Sequence, residues 1–210
     1  MGSAGATAFT MRYLAATLLL VVLPWGAHAA TASLTIDIDS VAPVLVTLEP
    51  LEASATAPNP APRTVYISSR GNDFVPRYQV APVGAHLVIR NEDTLLHNTH
   101  ISDRHATLLN VATPRAFQDV TKILPREGLF IVRCDLHPWM KAWIAVTDAP
   151  FHVLLEDKGE AVFEALPPGT FRLRVWRTDA ALLERVVELE AGTSRRLDLK
   201  GIPGFSARRD

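Results

Sequence analysis

The chain contains a single cysteine, Cys134, within the stretch RCDLHPWMKAW, and His137 and Met140 follow it at C-x-x-H-x-x-M spacing. Thiolate, imidazole and thioether form a soft donor set, which suits copper better than magnesium, calcium or manganese. On a tight loop these three donors can converge on one point, but three ligands call for a fourth. His97, in NEDTLLHNTH, is the candidate: it ends a strand well before Cys134, where a donor crossing from a neighbouring strand would lie. Zinc held by Cys134 and two histidines is a rival reading, and a thioether, a poor zinc ligand, argues against it. An inert buried cysteine with Met140 as core filler is the plainest alternative, and the imidazole at ligand spacing weighs against it.

The other histidines are read differently. Residues three apart in a strand face opposite sides, so His100 is a surface histidine if His97 is the ligand. His105 is a lesser rival for His97. His86 and His152 are strand or loop residues without a metal role, and His28 belongs to the leader segment. Asp135 reads as a solvated loop charge.

The elements around these residues are short. The 210-residue chain is 48% apolar, with 15 prolines and 11 glycines, and its Val, Leu and Thr runs alternate as strands do. Its 21 basic and 22 acidic residues nearly cancel, so no electrostatic signal recruits nucleic acid or an acidic membrane. LTIDID and VLVTLE predict two half-buried strands with Leu34, Ile36 and Ile38 on one face and Val44, Val46 and Leu48 on another, joined near Ala42-Pro43. ASATAPNPAPR is a proline-rich connector. Strands follow at TVYISS and HLVIRNED, with a less regular crossing from 104 to 124 that holds at most one more. In PREGLFIVRC, Phe130, Val132 and Cys134 share a face, and AWIAVTD follows, so CDLHPWMK is a tight loop at one end of a sheet. Beyond Asp148 come further hairpins, with Phe171, Leu173 and Val175 inward and Arg172, Arg174 and Trp176 outward.

The amino-terminal text has its own logic. Arg12, the apolar run 14–23 and Ala27-His28-Ala29 predict a secretory signal cleaved after Ala29, and the run is short for a bilayer span. Translation starting at Met1 or at Met11 is compatible with it. Export predicts a periplasmic protein with no stable membrane span after cleavage. Exported chains pair their cysteines or omit them, which makes one unpaired thiol a functional signal.

RNEDTLLHN followed by CDLHPWM resembles the type 1 copper site of cupredoxins, and the short ligand loop is similar to that of amicyanins. The likeness covers 64–148. It implies a Greek-key β-sandwich, one copper ion, a strong donor set of His97, Cys134 and His137, and a weak axial Met140. Asn98 is then expected to tie the two ligand segments together and put a backbone N–H near the thiolate. Pro138 has no N–H to offer that sulfur, and such hydrogen bonds tune a metal site. It further implies that the His137 edge reaches the surface, with Trp139 and Trp143 framing an apolar patch for a redox partner.

The carboxyl-terminal strands with ALPPGTFRLRVW resemble small transthyretin-like sandwiches related to carboxypeptidase regulatory domains. Those begin with two strands of the LTIDID/VLVTLEP kind. The expected organisation is therefore all-β: signal 1–29, strands 30–52 that belong with a second sandwich at 149–202, linker 53–63, copper unit 64–148 inserted between them, and tail 203–210. The order of pieces is similar to bacterial exported proteins labelled methylamine utilisation or plastocyanin-like. The expected role is single-electron transfer between redox partner proteins rather than enzymatic turnover. A copper-buffering or delivery module, or a partner-binding β-sandwich, remains the alternative.

Overall fold

The computed structural model describes residues 30–40, 42–52, 63–114, 119–178 and 180–199. The signal, most of the linker and the tail lie outside them. The described chain is all-β, and none of its described segments forms a helix long and apolar enough to cross a membrane.

Among the described residues, sixteen strands fall into four sheets. One pair of sheets is built from the middle of the chain. β3 (Thr64–Arg70), β4 (Asp73–Val75), β6 (His86–Asn91) and β9 (Val120–Ile123) form one in the order β4-β3-β6-β9. β5 (Tyr78–Ala81), β7 (His97–Ser102), β8 (Thr107–Thr113), β10 (Gly128–Arg133) and β11 (Lys141–Val146) form the other in the order β5-β11-β10-β7-β8. Their inner faces meet in one core that includes Ile67, Phe74, Leu87, Ile89, Ile101, Phe130, Val132 and Ile144. Alternation along β10 sends Phe130 and Val132 into this core and carries Cys134, just past the strand, the same way. The crossing from 104 to 124 is more regular than its sequence suggests, since both β8 and β9 lie in it. β8 is a sheet edge with a mostly solvated surface, so TLLNVAT lacks the apolar alternation of a half-buried strand.

The second pair of sheets joins the two ends of the described chain. β1 (Ala32–Ile38) lies between β13 (Gly159–Leu166) and β16 (Ser194–Asp198), and β2 (Val44–Pro50) lies between β12 (Phe151–Leu155) and β14 (Gly169–Arg177), with β15 (Leu183–Leu189) at the edge. Leu48 faces Leu173 in the register and Val46 faces Val175. Leu34, Ile36, Val44, Val46, Leu48, Phe171, Leu173 and Val175 share one core.

Two expectations about faces need correction. β2 is not half-buried: Leu45 and Thr47 are as enclosed as Val44 and Val46. Trp176 does not point to solvent but packs with Leu45, Leu154, Leu129, Ala145 and Trp143 in a third cluster. The cause is the same in both cases. The outer face of the β2–β14 sheet lies against the β10–β11 hairpin, so it is buried like a strand covered on both sides. Arg174 crosses this junction, donating to Glu49 Oε2 at 2.7 Å through Nη2 and to the Glu127 carboxylate through Nη1.

Candidate metal centre

The β10–β11 hairpin pairs Arg133 with Lys141 at its last register position, so residues 134–140 must turn within one narrow loop. The loop is closed by its own backbone: Met140 N–H donates to His137 C=O at 2.9 Å, and Cys134 N–H lies 3.4 Å from Met140 C=O. These bonds bring Cys134, His137 and Met140 to one end of the sandwich. β7 pairs with β10 and starts at that same end, which delivers His97.

The donors meet. His97 Nδ1 and His137 Nδ1 are 3.0 Å apart, Cys134 Sγ is 3.5 Å from His137 Nδ1 and 4.0 Å from His97 Nδ1. One ligand atom from each of the three residues falls within 4.8 Å of the others, a spacing at which a single ion can be shared. His97 and Met140 are 0% exposed and Cys134 is 2% exposed, whereas His137 is half-buried. Met140 belongs to the same packed cluster as Cys134. The chemistry of this set fits copper: a thiolate and two imidazoles, with a thioether in the same loop, are soft and borderline donors.

His97 is aimed by a chain of local structure. Gly71 and Asn72 both have positive φ (63° and 59°) and form the two-residue turn between β3 and β4, a geometry that glycine and asparagine accept most readily. Their N–H groups donate to Asp93 Oδ1 at 2.6 Å and Oδ2 at 3.0 Å. Asp93 Oδ2 in turn lies 2.9 Å from His97 Nε2. Asn91 shapes this loop, accepting from Asp93 N–H and donating to the Leu95 and Thr113 carbonyls. Burial pushes the Asp93 carboxyl up, but the Asn72 and Gly71 amides and His97 outweigh it and hold it below the usual carboxylate value. A carboxylate at Nε2 keeps the proton there and leaves Nδ1 of His97 as a lone pair facing Cys134 and His137. The His97–His137 contact is then satisfied by a proton on His137 Nδ1, which metal binding would displace.

Asn98 joins the start of β7 to the 134–140 loop. Its Oδ1 accepts the Asp135 N–H at 2.6 Å and lies 3.4 Å from Cys134 Sγ, so the atom that approaches the sulfur is a side-chain oxygen. Pro138 sits exposed in the turn. Trp139 is 62% exposed, its ring 5.2 Å from that of His137 and its indole N–H donating to Asn72 C=O at 3.1 Å. Trp143 is elsewhere. It stacks on Tyr78 at 5.3 Å and packs into the junction cluster, because it follows Met140 by three residues along β11 and faces away from the metal side. His100 points outward to Asp135 and Thr107. His105 and His86 are exposed, and His152 bonds to Ala149 C=O. Asp135 is not a free solvated charge, since Asn98, Asn110 and His100 all engage it.

Residue order gave no sign of the bonds that Asp93, Asn91, Asn110 and the Gly71-Asn72 turn make. The turn dipeptide itself was legible; its tie to His97 was not, because the two segments are brought together only by the parallel β3–β6 pairing.

No protein-family model matches the chain, and no curated protein is significantly similar to it. Solved structures do align. A purple cupredoxin from Nitrosopumilus maritimus is 20% identical with a TM-score of 0.36, covering 40% of this chain and 99% of its own. A variant of amicyanin in its reduced state is 17% identical with a TM-score of 0.36, covering 48% of this chain and 98% of its own. A copper-containing nitrite reductase from Thermus scotoductus is 25% identical with a TM-score of 0.35; the alignment covers 48% of this chain and 25% of the reductase.

Proposed function

We propose that the chain is an exported type 1 copper protein that passes single electrons between redox partner proteins by outer-sphere transfer. His97, Cys134 and His137 are the strong donors and Met140 the weak one. The observation that carries this reading is the convergence of one thiol and two Nδ1 atoms within 4.8 Å, with His97 and Cys134 buried.

Copper, when bound there, supplies a one-electron couple that tolerates this mixed donor set in both oxidation states. The chain supplies rigidity and insulation. Asp93 and the Gly71-Asn72 amides hold His97 in place, and the loop's own backbone bonds hold Cys134 and Met140. The burial of His97, Cys134 and Met140 keeps water and substrates from the donors, which favours electron transfer over enzymatic turnover. His137, the least enclosed of the three, lies beside exposed Trp139 and is the route to a partner. Segments 30–52 and 149–202 act as one transthyretin-like unit into which 64–148 is inserted; the Leu48–Leu173 and Val46–Val175 pairings support this.

The test is the visible spectrum of purified protein after addition of Cu(II). An intense blue band that ascorbate bleaches and an oxidant restores is the expected result. Tight Cu(I) binding with no coloured oxidised form would assign metal buffering or delivery instead. Failure to take up copper, with unchanged stability, would leave a partner-binding β-sandwich. Export is checked by sequencing the mature amino terminus, expected at Ala30.

A further inference from the structure

The outer side of the ligand loop carries a second polar cluster that electron transfer itself does not require. Cys134 turns inward, so Asp135, next in the chain, turns the other way and its side chain is 51% exposed. There Asp135 Oδ2 accepts from Asn98 Nδ2 at 2.8 Å and from Asn110 Nδ2 at 3.2 Å, and Oδ1 lies 3.1 Å from His100 Nδ1. His100 Nε2 is 3.0 Å from Thr107 Oγ1. Residues of β7 and β8 therefore grip one loop carboxylate. A surface charge with no role has no need of three partners and a buttressed histidine, and isolated exposed pairs contribute little to stability.

The grip has a consequence at the sulfur. Asn98 Nδ2 lies between two acceptors, Asn110 Oδ1 at 2.9 Å and Asp135 Oδ2 at 2.8 Å, while Asn98 Oδ1 faces the Asp135 N–H donor. Only one orientation of the amide satisfies all three contacts. That orientation holds Oδ1 at 3.4 Å from Cys134 Sγ.

Resting on the copper reading above, we propose that Asp135 is a positioning residue for the metal centre: it locks the Asn98 amide against the Cys134 sulfur and holds a carboxylate one residue from the thiolate, with His100 as its anchor. A fixed negative charge there favours the more positive, oxidised centre and lowers the reduction potential.

Asp135→Asn, Asp135→Ala and His100→Gln in the full chain test this with two measurements. One is the reduction potential of the copper-loaded protein. The other is hydrogen exchange of the Asn98 side-chain amide, followed by NMR in the metal-free protein. Asp135→Asn should stay blue with a raised potential. Asp135→Ala should raise the potential, shift the blue band and lose Asn98 protection. His100→Gln should move the potential in the same direction by less. Wild-type potential and wild-type Asn98 protection in both Asp135 variants would overturn the proposal; if Asp135→Ala does not fold, the near-isosteric Asp135→Asn decides by its potential. If the wild-type chain takes up no copper, the electron-carrier reading fails on its own, and Asn98 exchange still decides whether Asp135 locks the amide.

Discussion

The sandwich built from the ends of the described chain has a core of Leu, Ile, Val, Ala and Phe, from Leu34 and Val46 to Phe171 and Leu189, and the polar residues it buries, Asp37, Ser40, Thr47 and Arg177, include no sulfur or imidazole. The sandwich built from 64 to 146 buries the same residue types but adds Cys134, Met140, His97, Asn91, Asn98 and Thr99 at or near one end. Both use alternating strands, so the difference is not one of architecture. It is that the buried polar groups of the first are scattered, while the second gathers a thiol, two imidazoles and a thioether at one end. A buried polar group costs free energy unless it is bonded; here Asp93 bonds the His97 ring, Asn91 the Leu95 carbonyl and Asn98 the Asp135 amide. The aliphatic core can stabilise without specifying chemistry; the polar end specifies chemistry and depends on its surroundings for order.

The sharpest way to break this contrast is Cys134→Ser. It should abolish the blue band completely while circular dichroism still reports a folded β protein; a blue species in that variant would refute the donor assignment. Leu173→Ala should do the reverse. Removing a fully buried side chain from the aliphatic core costs about 2–5 kcal/mol, measured by urea unfolding, while the blue band of the folded fraction stays unchanged. Asp93→Ala frees the far nitrogen of His97 and should weaken copper affinity by about 10–100-fold, read by competition with a chelator, because outer partners of ligating histidines typically matter to that extent.

Smaller effects probe the boundary between the sandwiches. Arg174→Ala removes the bridge from Glu49 to Glu127 and should cost about 1–2 kcal/mol, since its side chain is largely enclosed. Separation of a single unfolding transition into two would show that this junction couples the units. The smallest effect is expected from Asp103→Asn. Burial pushes the Asp103 carboxyl up, but the Ala106 and His105 amides and Arg126 hold it below its ordinary value of 3.8. A carboxyl lowered in the folded state adds stability at higher pH, and that stability is lost as pH falls from about 3.8 through the folded value. The variant should show a slightly lower unfolding midpoint at pH 7 and a shallower acid limb in a pH series, the two curves converging at low pH.

Much of this was legible from residue order. Cys134, His137 and Met140 lie close in the chain, so their spacing restricts where they can go, and the alternation of Phe130, Val132 and Cys134 points the thiol inward. The inner faces of β1, β2 and β14 follow from the same two-residue period. The crossing from 104 to 124 was not legible, because an edge strand wetted on its surface loses the pattern that marks a strand.

The sequence by itself determined the donor types, their spacing on the loop and which strand faces are apolar, because chain connectivity and side-chain alternation act over a few residues. Only the tertiary structure decided that His97 reaches Cys134, that Asp93 fixes its far nitrogen, that Asp135 is gripped by β7 and β8, and that Leu45 is buried and Trp176 partly covered at a junction. Those contacts join segments tens of residues apart, and a residue that will be covered by a distant sheet carries no local mark distinguishing it from one that stays in water.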